Sequence, residues 1–165
     1  MGFFSQLFGK SDKNTNDIIC APIAGQAVEI AEVPDPVFAE GLLGKGIAIQ
    51  PADGKVYAPV DGTVSMMFET GHAVSIVSKS GAEILIHVGL ETVSLQGKPF
   101  TIHARSGDEI KKGQLLLEVD LEMIKEAGLP TITPVLVCNS EDYTIFNVVT
   151  GKAVTNDDAI IDLGK

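Results

Sequence analysis

The sequence has no tryptophan, only two cysteines and only 12 basic side chains among 165 residues. The small number of basic residues, set against 22 acidic ones, argues against nucleic acid as a partner, because binding its phosphates requires clustered Lys and Arg. No apolar run approaches the roughly 20 residues that a membrane span needs, and there is no secretory signal. We therefore expect one soluble cytoplasmic domain, since a chain of this length can bury about 70% of its unfolded surface in a single core.

The scarcity of cysteine and of positive charge also bears on compartment and partners. Cys20 and Cys138 both lie in apolar, strand-like runs, which predicts two buried free thiols in a reducing compartment. The net charge of −10 favours docking to basic proteins, because complementary electric fields raise the rate of encounter.

The first 16 residues differ in composition from the rest. Four apolar side chains recur at the spacing of one helical stripe, and a polar linker, 11–16, follows them. We expect residues 1–16 to form a flexible amphipathic segment, with two readings left open: a disordered tail, or an interfacial helix that makes weak peripheral contact with a membrane through residues 1–10. The four side chains are Phe3, Phe4, Leu7 and Phe8.

Residues 17–165 show the pattern of an all-β domain. Short β-favouring runs are interrupted every 8 to 12 residues by turn pairs such as Asp53-Gly54 and Asp61-Gly62, as in antiparallel sandwiches and barrels. The segment 21–25, APIAG, is similar to 58–62, APVDG. The sequence therefore predicts an antiparallel β-sandwich or barrel built from duplicated β-units.

Helix signals occur at two places only. Asp120 can cap a helix over 121–127, with Gly128 as its C-terminal stop. A single helical turn is predicted after Asp35, with Pro36 at its first position. With only one or two short helices, the sequence disfavours a parallel α/β fold.

Two of the three histidines stand at the ends of strand-like runs. His72 directly precedes one run and His87 closes the next. If these strands pair through the turn at Ser80-Gly81, the two residues fall almost opposite each other, and opposed Cβ atoms lie about 5 Å apart. One reading is a pair of ordinary core histidines. The other is a site in which one neutral imidazole accepts a phosphoryl group and the second contacts its oxygens.

Other residues refine this second reading. Thr70 is placed to orient the ring of His72, whereas His103 lies in a charged stretch typical of a solvated loop. A phosphate-binding nucleotide loop is absent, because the stretch around Gly44-Lys45 lacks the required Gly and Ser or Thr. ATP is therefore not the expected phosphoryl donor.

A long segment around His87 identifies a family. Residues 81–93, GAEILIHVGLETV, resemble the phosphorylation-site signature of the glucose-type enzyme IIA family of the bacterial phosphoenolpyruvate-dependent sugar phosphotransferase system. The resemblance covers nearly the whole chain and includes the segments 34–40, 58–64 and 68–73.

The resemblance implies a β-sandwich phosphocarrier. His87 would receive a phosphoryl group from the phosphohistidine of the carrier protein HPr and pass it to a cysteine of the IIB domain of a glucose-type permease. His72 would support the transfer and Thr70 would order His72. The chain would be a phosphotransferase-system component with a phosphohistidine intermediate, without turnover in the absence of its partners.

The resemblance also implies a docking face around the histidines. Asp35 and Glu91 match flanking carboxylates, although the family has Asp at the second position. Regulated metabolic enzymes or transporters are further expected partners, selected by the phosphorylation state of His87. The expected docking residues are Asp35, Val37, Phe38, Phe68, Val88 and Glu91.

Two rival classes remain open at this stage. The turn at 107–114 is like that of biotinyl and lipoyl carrier domains, but no lysine stands in the hairpin motif that those domains modify. A zinc hydrolase would need three protein ligands and an open position, and its His-x-His motif is absent. No cofactor is expected to be required, although the resemblance implies a zinc site at a partner interface, formed by His72, His87 and a carboxylate of the partner.

Overall fold

A computed structural model describes residues 17–165, and the predicted amphipathic segment 1–16 lies outside them. The described chain forms antiparallel sheets with two short α-helices, α1 (Pro36–Ala39) and α2 (Leu121–Glu126). The strands are β1 (Asp17–Cys20), β2 (Gly25–Glu29), β3 (Lys45–Pro51), β4 (Lys55–Tyr57), β5 (Gly62–Met67), β6 (Ala73–Ser78), β7 (Glu83–His87), β8 (Phe100–Ile102), β9 (Glu109–Ile110), β10 (Leu115–Val119), β11 (Thr133–Val137), β12 (Ile145–Val148), β13 (Lys152–Val154) and β14 (Ala159–Gly164).

The largest sheet has eight strands in the order β13-β2-β3-β11-β7-β6-β5-β9. Two three-stranded sheets, β1-β14-β12 and β4-β10-β8, complete the described fold. Every strand pair is antiparallel, so the predicted class is confirmed. No helix among these residues has the length and apolar composition needed to cross a bilayer.

The internal repeat is visible as matching hydrogen bonds. The N–H of Cys20 donates to the carbonyl of Pro59 at 3.1 Å, and the N–H of Tyr57 donates to the carbonyl of Pro22 at 2.7 Å. In the two aligned segments these are equivalent bonds made in opposite directions. The duplicated β-units therefore pack against each other as a pseudosymmetric pair.

Both predicted helices form where their caps indicate. The Asp120 side chain accepts from Met123 N–H at 3.1 Å, and α2 ends one residue before the predicted end, followed by Gly128 at a φ of +79°. The Asp35 side chain accepts from Val37 N–H at 3.0 Å, with Pro36 as the first helical residue.

A small second core fixes α1 beside the main sheet. Phe38 of α1 packs with Leu90 and Leu136, and Leu85 of β7 covers this cluster from the strand. The opposite face of β7 contributes Ile84 and Ile86 to the main core. Strand β7 is therefore covered on both faces, and its last residue, His87, is delivered next to α1.

The prediction of two buried thiols is wrong for one of them. Cys20 is buried, whereas Cys138 is exposed. All five residues of β11 are buried, but the strand ends at Val137. Cys138 follows as the first residue beyond the sheet, so the apolar run extends one residue further than the buried strand.

Candidate functional site

The two strand-end histidines meet at one end of the β6–β7 hairpin. His87 is paired with Ala73 across the ladder, and the N–H of Val88 donates to the carbonyl of His72 at 2.7 Å. The register is thus one residue away from direct opposition of the two histidines. Their rings are nevertheless in contact, with centroids 5.2 Å apart and planes at 79°.

Aromatic side chains enclose the imidazole pair. Phe38 lies against His87 with ring centroids 5.0 Å apart, and Phe68 lies edge-on to His72 at 5.3 Å. His72 is only 8% exposed, and His87 is half-buried. Of the two residues, His87 therefore has the larger exposed fraction.

The hydrogen bond at Nδ1 determines which nitrogen of His87 is nucleophilic. Nδ1 lies 2.8 Å from the backbone carbonyl of Gly89, and a carbonyl only accepts, so Nδ1 carries the proton. In the neutral ring Nε2 then holds a free lone pair. No hydrogen bond to this Nε2 is found within residues 17–165.

The second imidazole is held by a side chain rather than by the main chain. Nδ1 of His72 is hydrogen-bonded to the hydroxyl of Thr70, two residues earlier in the chain. The predicted contact between these two residues is therefore present. The hydroxyl is free to rotate, so it can donate to Nδ1 and leave the proton of His72 on Nε2.

Burial keeps both rings neutral. Desolvation lowers the pKa of His72 below its ordinary value, and the neighbouring His87 lowers it further. Desolvation also lowers the pKa of His87, against the opposing effects of the Gly89 carbonyl and of the Asp35 and Glu91 carboxylates. A neutral, nucleophilic imidazole is thus the form present at neutral pH.

Four of the predicted docking residues are at least partly exposed to solvent. Asp35 is half-buried as the cap of α1, Val37 is 41% exposed, Phe68 is half-buried and Glu91 is exposed. We call these four residues the docking face. Glu91 stands in the left-handed region with a φ of +62°, an uncommon conformation for a residue with a side chain.

Two of the predicted docking residues do not reach the surface. Val88 is fully buried and Phe38 is 5% exposed. Val88 belongs to the main core, whereas Phe38 packs in the second core below α1. Both residues support the site from beneath, and this corrects the expectation that their side chains meet a partner.

Among the described residues, no hydrogen bond joins the third histidine, His103, to His72 or His87. His103 follows β8, and its Nε2 lies 2.7 Å from a carboxylate oxygen of Glu118 on β10. The His103 side chain is 37% exposed, as predicted for a solvated position. The neighbouring strands β8 and β10 belong to a different sheet from β6 and β7.

The sequence did not predict one group that contacts His87, the backbone carbonyl of Gly89. The Gly89 carbonyl fixes the tautomer of His87, yet backbone atoms leave no signature in side-chain patterns. The only signal was the glycine itself, which adopts a φ of +74°.

The fold and the site together define a class: an antiparallel β-sandwich with a neutral imidazole pair at the end of one hairpin. A family model described as phosphoenolpyruvate-dependent sugar phosphotransferase system, EIIA 1, matches residues 17–143. The chain belongs to this family. As a member, it is a phosphocarrier component of that system, and neither the biotinyl or lipoyl carrier nor the zinc hydrolase is favoured.

Individual relatives agree with this assignment. The chain is 44% identical over 152 residues to a PTS system glucose-specific EIIA component of Bacillus cereus, which covers 92% of each protein. It is 47% identical over 142 residues to a beta-glucoside-specific EIIBCA component of Dickeya chrysanthemi, covering 86% of this chain and 22% of that protein. The solved glucose permease IIA from Mycoplasma capricolum matches with a TM-score of 0.84 and 34% identity, over 93% of this chain and 99% of that one.

Proposed function

We propose that Nε2 of His87 accepts a phosphoryl group from the phosphohistidine of HPr and passes it to a cysteine of a permease IIB domain. The observation that carries this proposal is the 2.8 Å hydrogen bond from His87 Nδ1 to the Gly89 carbonyl. It places the proton on Nδ1 and leaves Nε2 as the nucleophile.

The proposed transfer consists of two exchanges at phosphorus. In the first, the Nε2–P bond forms at His87 while the N–P bond on HPr breaks, and the donor imidazole keeps the electron pair. In the second, a IIB thiolate forms an S–P bond while the Nε2–P bond of His87 breaks, so neutral His87 is regenerated. Neither exchange requires a cofactor.

His72 has a supporting role in this proposal. With Thr70 donating to Nδ1 of His72, the Nε2–H of His72 is a donor beside the ring of His87. A fixed donor stabilises the negative charge that develops on the phosphoryl oxygens during transfer. The proposed arrangement therefore separates the acceptor, His87, from the charge-stabilising group, His72.

The docking face has the charge that a basic carrier protein would recognise. Asp35 and Glu91 are close enough to His87 to affect its pKa, and the exposed side chain of Val37 adds apolar surface. Opposite charges around a small apolar centre raise the encounter rate and fix the orientation of the partner. We therefore assign the docking face to HPr and IIB.

The relatives support the choice of IIB as the acceptor. In the Dickeya chrysanthemi protein, named an EIIBCA component, the region matching this chain is 22% of a longer polypeptide. A donor and acceptor fused in one chain meet at high effective concentration. For the free-standing chain, we propose that the same exchange occurs at the cytoplasmic side of a permease, on encounter between separate proteins.

Zinc binding at a partner interface is a separate proposal, and the number of ligands that this chain can supply limits it. Within residues 17–165 no cluster of three or more metal-ligating side chains is present. His72 and His87 supply two nitrogens, and zinc sites in proteins take at least three protein ligands. This chain alone does not complete such a site, so a partner carboxylate would have to supply the missing ligand.

The decisive experiment is phosphorylation by the reconstituted donor chain. The protein is incubated with phosphoenolpyruvate, enzyme I and HPr, and its mass is measured. We expect the addition of one phosphoryl group, labile to acid and stable to alkali. His87→Gln should remove the addition, and His103→Gln, which changes an exposed histidine, should retain it. Full labelling of His87→Gln would overturn the assignment.

A further inference from the structure

A buried hydroxyl lies directly beneath the loop that follows His87. Thr92 is completely buried, and its Oγ1 donates to the carbonyl of Val88 at 2.6 Å. Thr92 is the first residue of the 3-10 turn Thr92–Leu95. Its side chain therefore points back into the loop instead of toward solvent.

Main-chain hydrogen bonds to two other segments hold the loop between His87 and Thr92. Val88 N–H donates to the carbonyl of His72, and Leu90 N–H donates to the carbonyl of Pro130 at 3.1 Å. In a trans peptide the C=O and N–H point in opposite directions. The bond to Pro130 on one side of the Gly89–Leu90 peptide therefore directs the Gly89 carbonyl to the other side, where His87 lies.

Thr92 also limits the conformation of Gly89 by contact. A Cβ added to Gly89 would lie 2.7 Å from Cγ2 of Thr92 and 2.9 Å from the carbonyl oxygen of Pro130. The methyl group of Thr92 thus packs against one face of the loop while the hydroxyl binds its preceding carbonyl. Side-chain shape and hydrogen bonding therefore both act on the Val88–Gly89 segment, next to the peptide whose carbonyl binds Nδ1 of His87.

We propose that Thr92 is a positioning residue that holds the Gly89 carbonyl on Nδ1 of His87 and so keeps the nucleophilic lone pair on Nε2. Thr92 does not touch the transferred group and acts through the loop. This inference rests on the proposed function of His87. Loss of the hydroxyl leaves the buried Val88 carbonyl without a donor, so the loop shifts and Nδ1 loses its acceptor.

Two near-isosteric variants separate the hydroxyl from the methyl group. Thr92→Val keeps the shape and removes the donor, whereas Thr92→Ser keeps the donor and removes the methyl. Ser78→Ala is the matched control, because Ser78 is a buried hydroxyl at the opposite end of the same hairpin that accepts from Ala82 N–H at 2.9 Å. It disturbs the hairpin without touching the loop after His87.

The first readout is the tautomer of His87, measured by nitrogen NMR of the full-length protein without any phosphoryl donor. We expect the parent protein, Thr92→Ser and Ser78→Ala to show the proton on Nδ1. Thr92→Val should show a substantial fraction with the proton on Nε2. A parent-like tautomer in Thr92→Val would overturn the proposal, and this result does not depend on whether the protein is a phosphocarrier.

The second readout is the rate of labelling by phospho-HPr. Misplacement of a reacting group by about 1 Å costs up to 10²-fold in rate, so Thr92→Val should be 10- to 100-fold slower at saturating HPr. The half-saturating HPr concentration should stay unchanged, and Thr92→Ser should restore the rate. If Thr92→Val does not fold, Thr92→Cys is compared with Thr92→Ser, because the two side chains have the same shape and the thiol is the weaker donor. Parent-like rates in the donor-deficient variant would contradict the inference, whereas labelling of the parent at another residue would instead refute the role of His87.

Discussion

The carbonyl of His72 accepts a hydrogen bond from the N–H of Val88 at 2.7 Å, which ties the main chain of one histidine to the residue after the other. The two rings are therefore brought together by the hairpin backbone and not by a bond between the rings. Either ring can be replaced while this scaffold remains. The roles of the two histidines are thus separable by substitution.

Replacement of His72 should separate acceptance from onward transfer. We expect His72→Gln to be labelled by phospho-HPr but to pass the group to IIB about 10²- to 10³-fold more slowly, because loss of one fixed donor to a developing negative charge costs on the order of 2.7–4 kcal/mol. Rapid-quench transfer from the isolated phosphoprotein measures this rate. Equal rates for the variant and the parent would remove His72 from the mechanism.

Replacement of Thr70 should give a smaller effect through the same ring. Thr70→Val removes the hydroxyl that binds Nδ1 of His72 and should slow transfer to IIB about 3- to 10-fold, the equivalent of a hydrogen bond of roughly 0.5–1.5 kcal/mol. Thr70→Ser retains the hydroxyl and should transfer at close to the parent rate. If Thr70→Val transfers at the parent rate, the hydroxyl of Thr70 is not important, because this variant lacks the hydroxyl and keeps the methyl group.

Much of this architecture was predictable because it depends on local chemistry. Asp120 and the Asp35-Pro36 pair mark helix starts through side-chain caps that need only a few neighbouring residues. The meeting of His72 and His87 was also predictable, because turn position and strand length determine hairpin register to within about one residue. The observed offset of one residue still brings the rings together.

The errors concern properties that depend on distant parts of the chain. Val88 and Phe38 were expected at the surface, but each is buried by a different core. Cys138 was expected to be buried and instead lies beyond the end of β11. The role of the Gly89 carbonyl could not be predicted, since it depends on a backbone turn and not on a side-chain pattern.

The lowered pKa values of the two histidines predict a definite pH dependence of stability. The unfolded chain takes up protons near pH 6.5, whereas the folded chain does so only at lower pH. The unfolded state therefore binds more protons below that pH, and the free energy of unfolding should fall as pH decreases from 6.5. The contribution of the two neutral histidines to the free energy of unfolding is therefore fully present above pH 6.5, and it is lost as the pH falls toward their lowered pKa values.

Urea unfolding at pH 7.5, 6.5 and 5.5 measures this dependence. The double variant His72→Gln with His87→Gln should show a smaller loss between pH 6.5 and 5.5 than the parent. His103→Gln is the control, since it leaves the buried pair unchanged. An identical pH dependence in the parent and the double variant would contradict the assignment of neutral, buried rings.

Glycine at position 89 should be required for stability as well as for labelling. Gly89→Ala places a side chain at a φ of +74° and against both Thr92 and Pro130. Gly81→Ala, at a φ of +102° with open space around the added Cβ, is the control for conformation alone. We expect Gly81→Ala to cost about 1–2 kcal/mol and Gly89→Ala to cost more in urea denaturation, with labelling strongly reduced. Equal costs would show that the loop yields to the added methyl.

Phosphorylation of His87 should change which partners the docking face accepts. A phosphoryl group adds about −1.5 to −2 charges next to the carboxylates of Asp35 and Glu91, which already act on this ring. A regulated enzyme or transporter that buries Val37, or that presents a carboxylate, should then bind only the unmodified protein, because like charges and desolvation both oppose its approach. IIB must tolerate the modified form, since it receives the group.

We expect His87→Asp, a crude mimic of the added charge, to lose such partners in binding assays at low salt, and His87→Gln to keep them. The difference should shrink as salt screens the charges, and equal affinities of both variants for every partner would rule out control by charge.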